Sequence, residues 1–245
     1  MKNLIRILAL VNLLLFSASA NAAEGSIIEQ LLNQGSNSSK VVQVLLIITV
    51  LGLAPSIVVM VSSFVRIVVV LSMVRTAIGL QQTPPNQVIL SLALFLSFFI
   101  MTPVMEKAYH DGLRPMLDEK ITEEEAFPLI VNPFKKFMLA NTRSKDLELF
   151  SGIAKIEITE QSSDMPLQIV IPSFMISELR RSFEIGFLLF LPFLIIDIVV
   201  SSILMAMGMM MMPPVTVSLP FKIIFFVIVD GWYILAGSLV KSFVT

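Results

Sequence analysis

The sequence predicts an all-α membrane protein, with four apolar helical segments forming kinked hairpins plus a mainly helical polar extracytoplasmic domain. Three observations carry this. Of 245 residues, 56% are hydrophobic and only 14% charged, with a mean hydropathy of +0.89, whereas a soluble domain carries about a quarter charged residues. The charges are crowded: of 17 basic and 18 acidic residues, 10 and 14 respectively fall within 106–184. The remainder is dominated by long runs almost free of charge, and in lipid only helices and closed barrels satisfy their own backbone groups.

The elements follow in order. Residues 1–22 have the form of a cleavable signal peptide: Lys2 and Arg6, an apolar run, then small residues ending at Ala20-Asn21-Ala22, a run too short for about 30 Å of hydrocarbon. Residues 23–40, rich in Gly, Ser and Asn, read as an extracytoplasmic tail. Residues 41–105 form the first apolar hairpin. Its first arm, 41–61, is uncharged, with a kink expected at Pro55. The continuation through Arg66 and Arg75 is rich in Val and Ile and would also suit a strand, but an open strand leaves its backbone unpaired in lipid. Thr83-Pro84-Pro85 supplies a loop, a cap and a first-turn proline for the second arm, 88–105.

Residues 106–184 are the polar periplasmic helical domain. Thr122 followed by Glu125 marks a capped helix start, and 133–150 carries Phe134, Phe137, Met138, Leu147 and Phe150 among charges. After Pro172, Met175, Leu179, Phe183 and Phe187 fall four apart on one face, predicting an amphipathic helix that runs into the third apolar segment. Residues 185–245 form the second apolar hairpin. Its arms are 185–212, with a kink at Pro192, and 223–240, joined through Pro213-Pro214. With the mature N-terminus outside, four crossings place the loops near 66–87 and 213–222 in the cytoplasm.

Several function classes drop out. There is no basic footprint for nucleic acid at a net charge of −1. Zero cysteines exclude disulfides and thiolate chemistry, and the single His110 builds no nitrogen-ligated metal site. No phosphate loop, nucleophile elbow or His-Glu-x-x-His occurs, so no catalytic residue, cofactor or metal is expected.

The remaining candidates are physical. Asp197 and Asp230 sit in apolar segments, where an ionised carboxylate costs about 2.5–3.5 kcal/mol unless partnered. Each reads as a hydrogen-bonded staple between helices, through Arg66 or Lys222, or as part of a proton path. The staple is preferred because no chain of ionisable groups links the two. Arg66 and Arg75 otherwise read as anchors at the membrane edge. Leu147, Phe150, Met175, Leu179 and Phe183 suit subunit contacts. The run Met209-Met210-Met211-Met212 is either core filler or, if several copies contribute it, a deformable seal.

Particular residues then resemble the FliP family of flagellar export-gate proteins. Ser63-Phe64-Val65-Arg66, Pro84-Pro85-Asn86-Gln87 and 92–99 are similar to its first half. Residues 190–197, Gly208 to Met211, Pro213-Pro214, Leu219-Pro220-Phe221-Lys222 and Asp230-Gly231-Trp232 are similar to its second half. The resemblance implies a pore-forming structural subunit of the type III secretion export gate in the inner membrane and flagellar basal body. It implies a homo-oligomer, a pentamer in the family, joined by FliQ- and FliR-family subunits and other export apparatus membrane proteins, with unfolded flagellar substrates in transit. It favours the seal for Met209, Met210, Met211 and Met212, and implies helices held in an assembly lifted out of the bilayer plane. The related injectisome SctR-like families share the motifs but are shorter and generally lack the leader. An ion-coupled transporter is a further alternative, although the two apolar halves show no inverted repeat.

Overall fold

The computed structural model describes residues 45, 48–49, 52–53, 56–80, 82–156, 165–209 and 211–243. The expectations for the signal peptide, the 23–40 tail, Pro55 and Met210 lie outside them. The chain divides into two compact units, Met1–Ser56 and Ile57–Thr245. In the first, the described residues 45, 48, 49, 52 and 53 are helical, and Thr49 Oγ1 donates to the Leu45 carbonyl at 2.7 Å.

The second unit is helical throughout, and no strand occurs among the described residues. Its helices are α1 (Phe64–Ile78), α2 (Asn86–Ala108), α3 (Arg114–Leu117), α4 (Glu123–Ala140), α5 (Ser144–Ala154), α6 (Leu167–Ala206), α7 (Pro214–Ile228) and α8 (Gly231–Lys241). The Val- and Ile-rich stretch after Ser63 is α1, because Ile67, Val70, Leu71, Val74 and Ala77 all face a core built with α2, α6 and α8. Fully burying each large side chain there is worth about 1.5–3 kcal/mol relative to water, more than the few tenths that β-branching costs a helix. Gly79, at φ +92°, ends α1: its N–H and that of Leu80 return to the Thr76 and Arg75 carbonyls, a closure that favours glycine.

Helix α2 begins one residue after Pro85, without the expected Thr83 cap. A five-residue π turn, Tyr109–Leu113, links it to α3, so that residues 86–117 form one candidate membrane span. Gly112 sits so close to α4 that a Cβ there would lie 2.9 Å from the Ile130 backbone nitrogen. The predicted cap of α4 is present: Thr122 Oγ1 accepts from the Glu125 N–H, while Glu125 Oε2 accepts from the Thr122 N–H at 3.0 Å. Pro128 and Pro133 lie inside α4, so the helix does not restart at 133 but breaks at Asn141.

Helix α6 is the spine. It has 40 residues, passes through Pro172 and Pro192 without a break, and is the second candidate span. Helix α1 packs on it more extensively than on any other element. A second core of Met138, Met165, Ile169, Val170 and Phe174 joins the start of α6 to α4 and α5. The segment expected as one helix over 223–240 is two, α7 and α8, bent by 61°.

Candidate functional site

Two charged nodes hold α6 to its neighbours. In the first, Arg66 Nε donates to Glu178 Oε2 at 2.8 Å and its terminal nitrogen pairs with Oε1, a two-pronged grip. Arg66 is 3% exposed and Glu178 0%, so one partner without the other would leave a bare charge in an apolar interior. The other Arg66 terminal nitrogen donates to the Ser242 carbonyl and hydroxyl at 3.2 and 3.0 Å. The guanidinium carbon lies 3.7 Å from the centre of the Phe243 ring, which stacks on Phe137 at 5.9 Å. Arg66 therefore ties α1, α6 and the turn after α8 together. Its side chain points into the helix bundle, and its carboxylate partner is Glu178 rather than either aspartate.

The second node is built around Asp197. Lys222 Nζ donates to Asp197 Oδ2 at 2.7 Å and to the Ala77 carbonyl at 3.3 Å, and Ser218 Oγ donates to Asp197 Oδ1 at 2.5 Å. Lysine, serine and carboxylate thus staple α1, α6 and α7, with Lys222 itself buried. Of the two partners weighed from the sequence, Lys222 holds Asp197.

Asp230 differs. It does not lie inside a helix but at the corner between α7 and α8, at φ +50° and ψ +52°, where aspartate is one of the few residues that tolerates a left-handed backbone. Arg75 holds a loop: its guanidinium donates to Asn86 Oδ1 at 2.6 Å and the Pro84 carbonyl at 3.2 Å, fixing the Thr83-Pro84-Pro85 turn, whose Thr83–Pro84 peptide is cis.

A third polar node lies toward the N-terminal end of α6. Arg143 grips Asp146 at 2.8 and 2.9 Å, and Ser177 Oγ donates to Asp146 Oδ2 at 2.5 Å. Burial pushes the Asp146 carboxyl up, but the Ser177 and Arg143 hydrogen bonds, with the Arg143 and Arg180 charges, outweigh it and hold the group below the usual carboxylate range.

Met209, Met211 and Met212 lie in the turn between α6 and α7. Gly208, at φ +72°, ends α6, and its N–H and that of Met209 return to the Met205 and Leu204 carbonyls. Pro213 and Pro214 then start α7. Met211 is 99% exposed, and Met209 and Met212 are also exposed. None of the described residues packs on Met211, so among them it is not core filler.

The face of α6 predicted from Met175, Leu179, Phe183 and Phe187 points outward, with Phe183 and Phe187 58% and 62% exposed. The inward face is made of Val170, Ser173, Phe174, Ser177, Glu178, Ser182 and Gly186. At Gly186 an added Cβ would fall 2.3 Å from Met73 Sδ, so α1 and α6 approach closely there. Sequence reasoning missed Glu178, Ser218, Gly186 and Gly112. The available signal was the recurrence of small residues at 173, 177, 182 and 186, which lets helices approach. Leu147 and Phe150, expected at subunit contacts, pack on the second core instead. Among the described residues no three His, Asp or Glu side chains converge on a metal position.

Known proteins bear on this geometry. The FliP family model matches residues 47–239. The chain is 57% identical over 206 residues to "Flagellar biosynthetic protein FliP" of Caulobacter vibrioides, covering 84% of this chain and 77% of that protein. It is 52% identical over 207 residues to the protein of the same name from Bacillus subtilis, covering 84% and 94%, and 50% identical over 212 residues to that from Rhizobium meliloti, covering 86% of each. With the matched stretch containing the Arg66–Glu178 and Asp197–Lys222 pairs and the methionine turn, the chain belongs to the FliP family.

Proposed function

We propose that this chain is a pore-forming structural subunit of the flagellar type III protein export gate. Several copies, five by analogy with the family, assemble with FliQ- and FliR-family subunits in the bacterial inner membrane after removal of residues 1–22. Unfolded flagellar proteins pass through the opening they enclose. The relatives' name, which places them in flagellar biosynthesis, supports the setting. The observation that carries the pore is the exposure of Met209, Met211 and Met212 at the end of α6, the longest helix among the described residues.

The chemistry is mechanical. Thioether side chains are apolar, unbranched and polarisable, so a ring of them excludes hydrated ions yet repacks around a passing chain. Proline on the far side of the turn and the Gly208 closure on the near side hold its ends while leaving the side chains free. Asp197 acts as a staple. Its charge is matched by Lys222 and Ser218, which supports a structural role over proton relay. In the assembled gate 41–105 and 185–245 serve as two hairpins and 106–184 as the periplasmic part. Pro84, Pro85, Pro213 and Pro214 set the loops, and Pro55 and Pro192 serve as bends.

Replacing Met209, Met210 and Met211 together by Ala tests this. The expected result is an intact complex whose membranes leak small ions, read as dissipation of an imposed potential in vesicles. An intact complex that remains ion-tight would remove the sealing role.

A further inference from the structure

The charged groups on the apolar helices are distributed unevenly. On α6, Glu178, Glu184 and Asp197 each have a cation of the same chain within 4 Å: Arg66, Arg180 and Lys222. Asp230 has none among the described residues, nor does its carboxylate accept a hydrogen bond there. Its surroundings are not polar. Val227, Ile228 and Tyr233 are among the most exposed side chains of the protomer, and Ile234 is also exposed. A carboxylate is thus fixed in the middle of an uncovered apolar surface at the 61° corner of α7 and α8. Once that surface is covered by lipid or protein, an unmatched carboxylate there is costly.

We infer that the α7–α8 corner is a docking surface for an apolar helix of a different polypeptide, one that brings a Lys or Arg to the Asp230 carboxylate. The apolar flanks supply contact area and the single charge fixes register, as buried polar groups do where flat apolar surfaces would slide. Among the described residues of the apolar helices, charge complementarity points away from a second copy of this chain. Arg66 and Lys222 are buried and engaged, Arg75 is held by Asn86 and Pro84, and Arg180 and Arg181 face Glu184. Lys107 and Lys241 stand in the last turns of their helices rather than within an apolar face. The left-handed backbone at Asp230 sets the corner, so its φ and its carboxylate can be tested separately, because Asn and Gly also accept that conformation.

This inference rests on the export-gate reading, and its test separates the two. The full chain, carrying a photoreactive amino acid at Tyr233, is co-expressed with its neighbouring genes and purified as the complex. The expected result is a cross-link to a different polypeptide that falls at least about tenfold in D230N and in D230G, a loss equivalent to about 1.4 kcal/mol, while the homo-oligomer of this chain is retained. A cross-link to another copy of this chain, an undiminished cross-link in both variants, or loss of the homo-oligomer itself in both would each overturn the inference. Failure of the unsubstituted chain to form any homo-oligomer would instead overturn the export-gate reading.

Discussion

The inner and outer faces of α6 are built from opposite chemistry. Inward it presents Ser173, Ser177, Glu178, Ser182 and Gly186, small or polar side chains that meet α1 and α5 with every buried polar atom partnered. Outward it presents Phe183, Phe187, Leu188, Ile195 and Ile198, all exposed. In a water-soluble helix the polarity would run the other way. Association of helices without water gains little from burying leucine, because lipid is equally apolar; it gains from close approach and from hydrogen bonds between helices. The inner face follows that rule and folds the protomer, while the outer face is left for lipid or other subunits.

The sharpest way to break this contrast is to leave a charge alone on the inner face. Arg66→Ala or Glu178→Ala is expected to cost about 3–5 kcal/mol, as for other buried pairs reduced to one member. The paired change R66M/E178L should recover much of that loss, read as detergent-solubilised thermal unfolding. Next in size is the second close contact. Gly112→Ala forces a methyl against the Ile130 backbone and should destabilise by about 1–3 kcal/mol, with faster proteolysis near 112–130 as the readout. Removing the α4 cap with Thr122→Ala should cost about 1 kcal/mol, seen as a lower Tm with assembly unchanged.

Smallest for the protomer, and most informative, is the outer face. F183S and F187S should alter protomer stability by no more than about 0.5 kcal/mol, as for other surface changes, yet reduce recovery of the complex on a native gel. A protomer that unfolds instead would show that the outer face is also core.

Titration sharpens the same comparison. The Asp146 carboxyl is held below its ordinary value of 3.8 in the folded chain. Its contribution is therefore full at neutral pH, and is lost as pH falls below about 4 through the folded value. The stability difference between the unsubstituted chain and D146N should follow that course.

Much of the helical plan was legible because hydropathy and capping are local. The charge-poor runs placed α2, α6 and α7 with α8, and the Thr122–Glu125 box placed the start of α4 within a residue. The orientation of α6 was not legible in the same way. The large apolar side chains at four-residue spacing marked one face and suggested subunit contacts at Met175, Leu179 and Phe183, but they did not say which residues pack within the protomer; the small residues mark that side. Asp197 was read as a staple from its cost in an apolar segment, and Lys222, to which it is hydrogen-bonded, was one of two partners considered. Glu178 escaped because it sits within a charged stretch, Glu178 to Glu184, where solvent exposure was the natural reading. Asp230 was placed inside a helix because nothing local betrays the left-handed corner except the following Gly231.

The central claim is that the outer surface of the protomer is completed by other subunits, bringing several methionine turns around one opening. Weighing the intact complex, purified with its co-expressed neighbours, tests this most directly. The account predicts a mass containing several copies of this chain. A chain that remains a lone monomer with no central opening, under every expression condition, would contradict it.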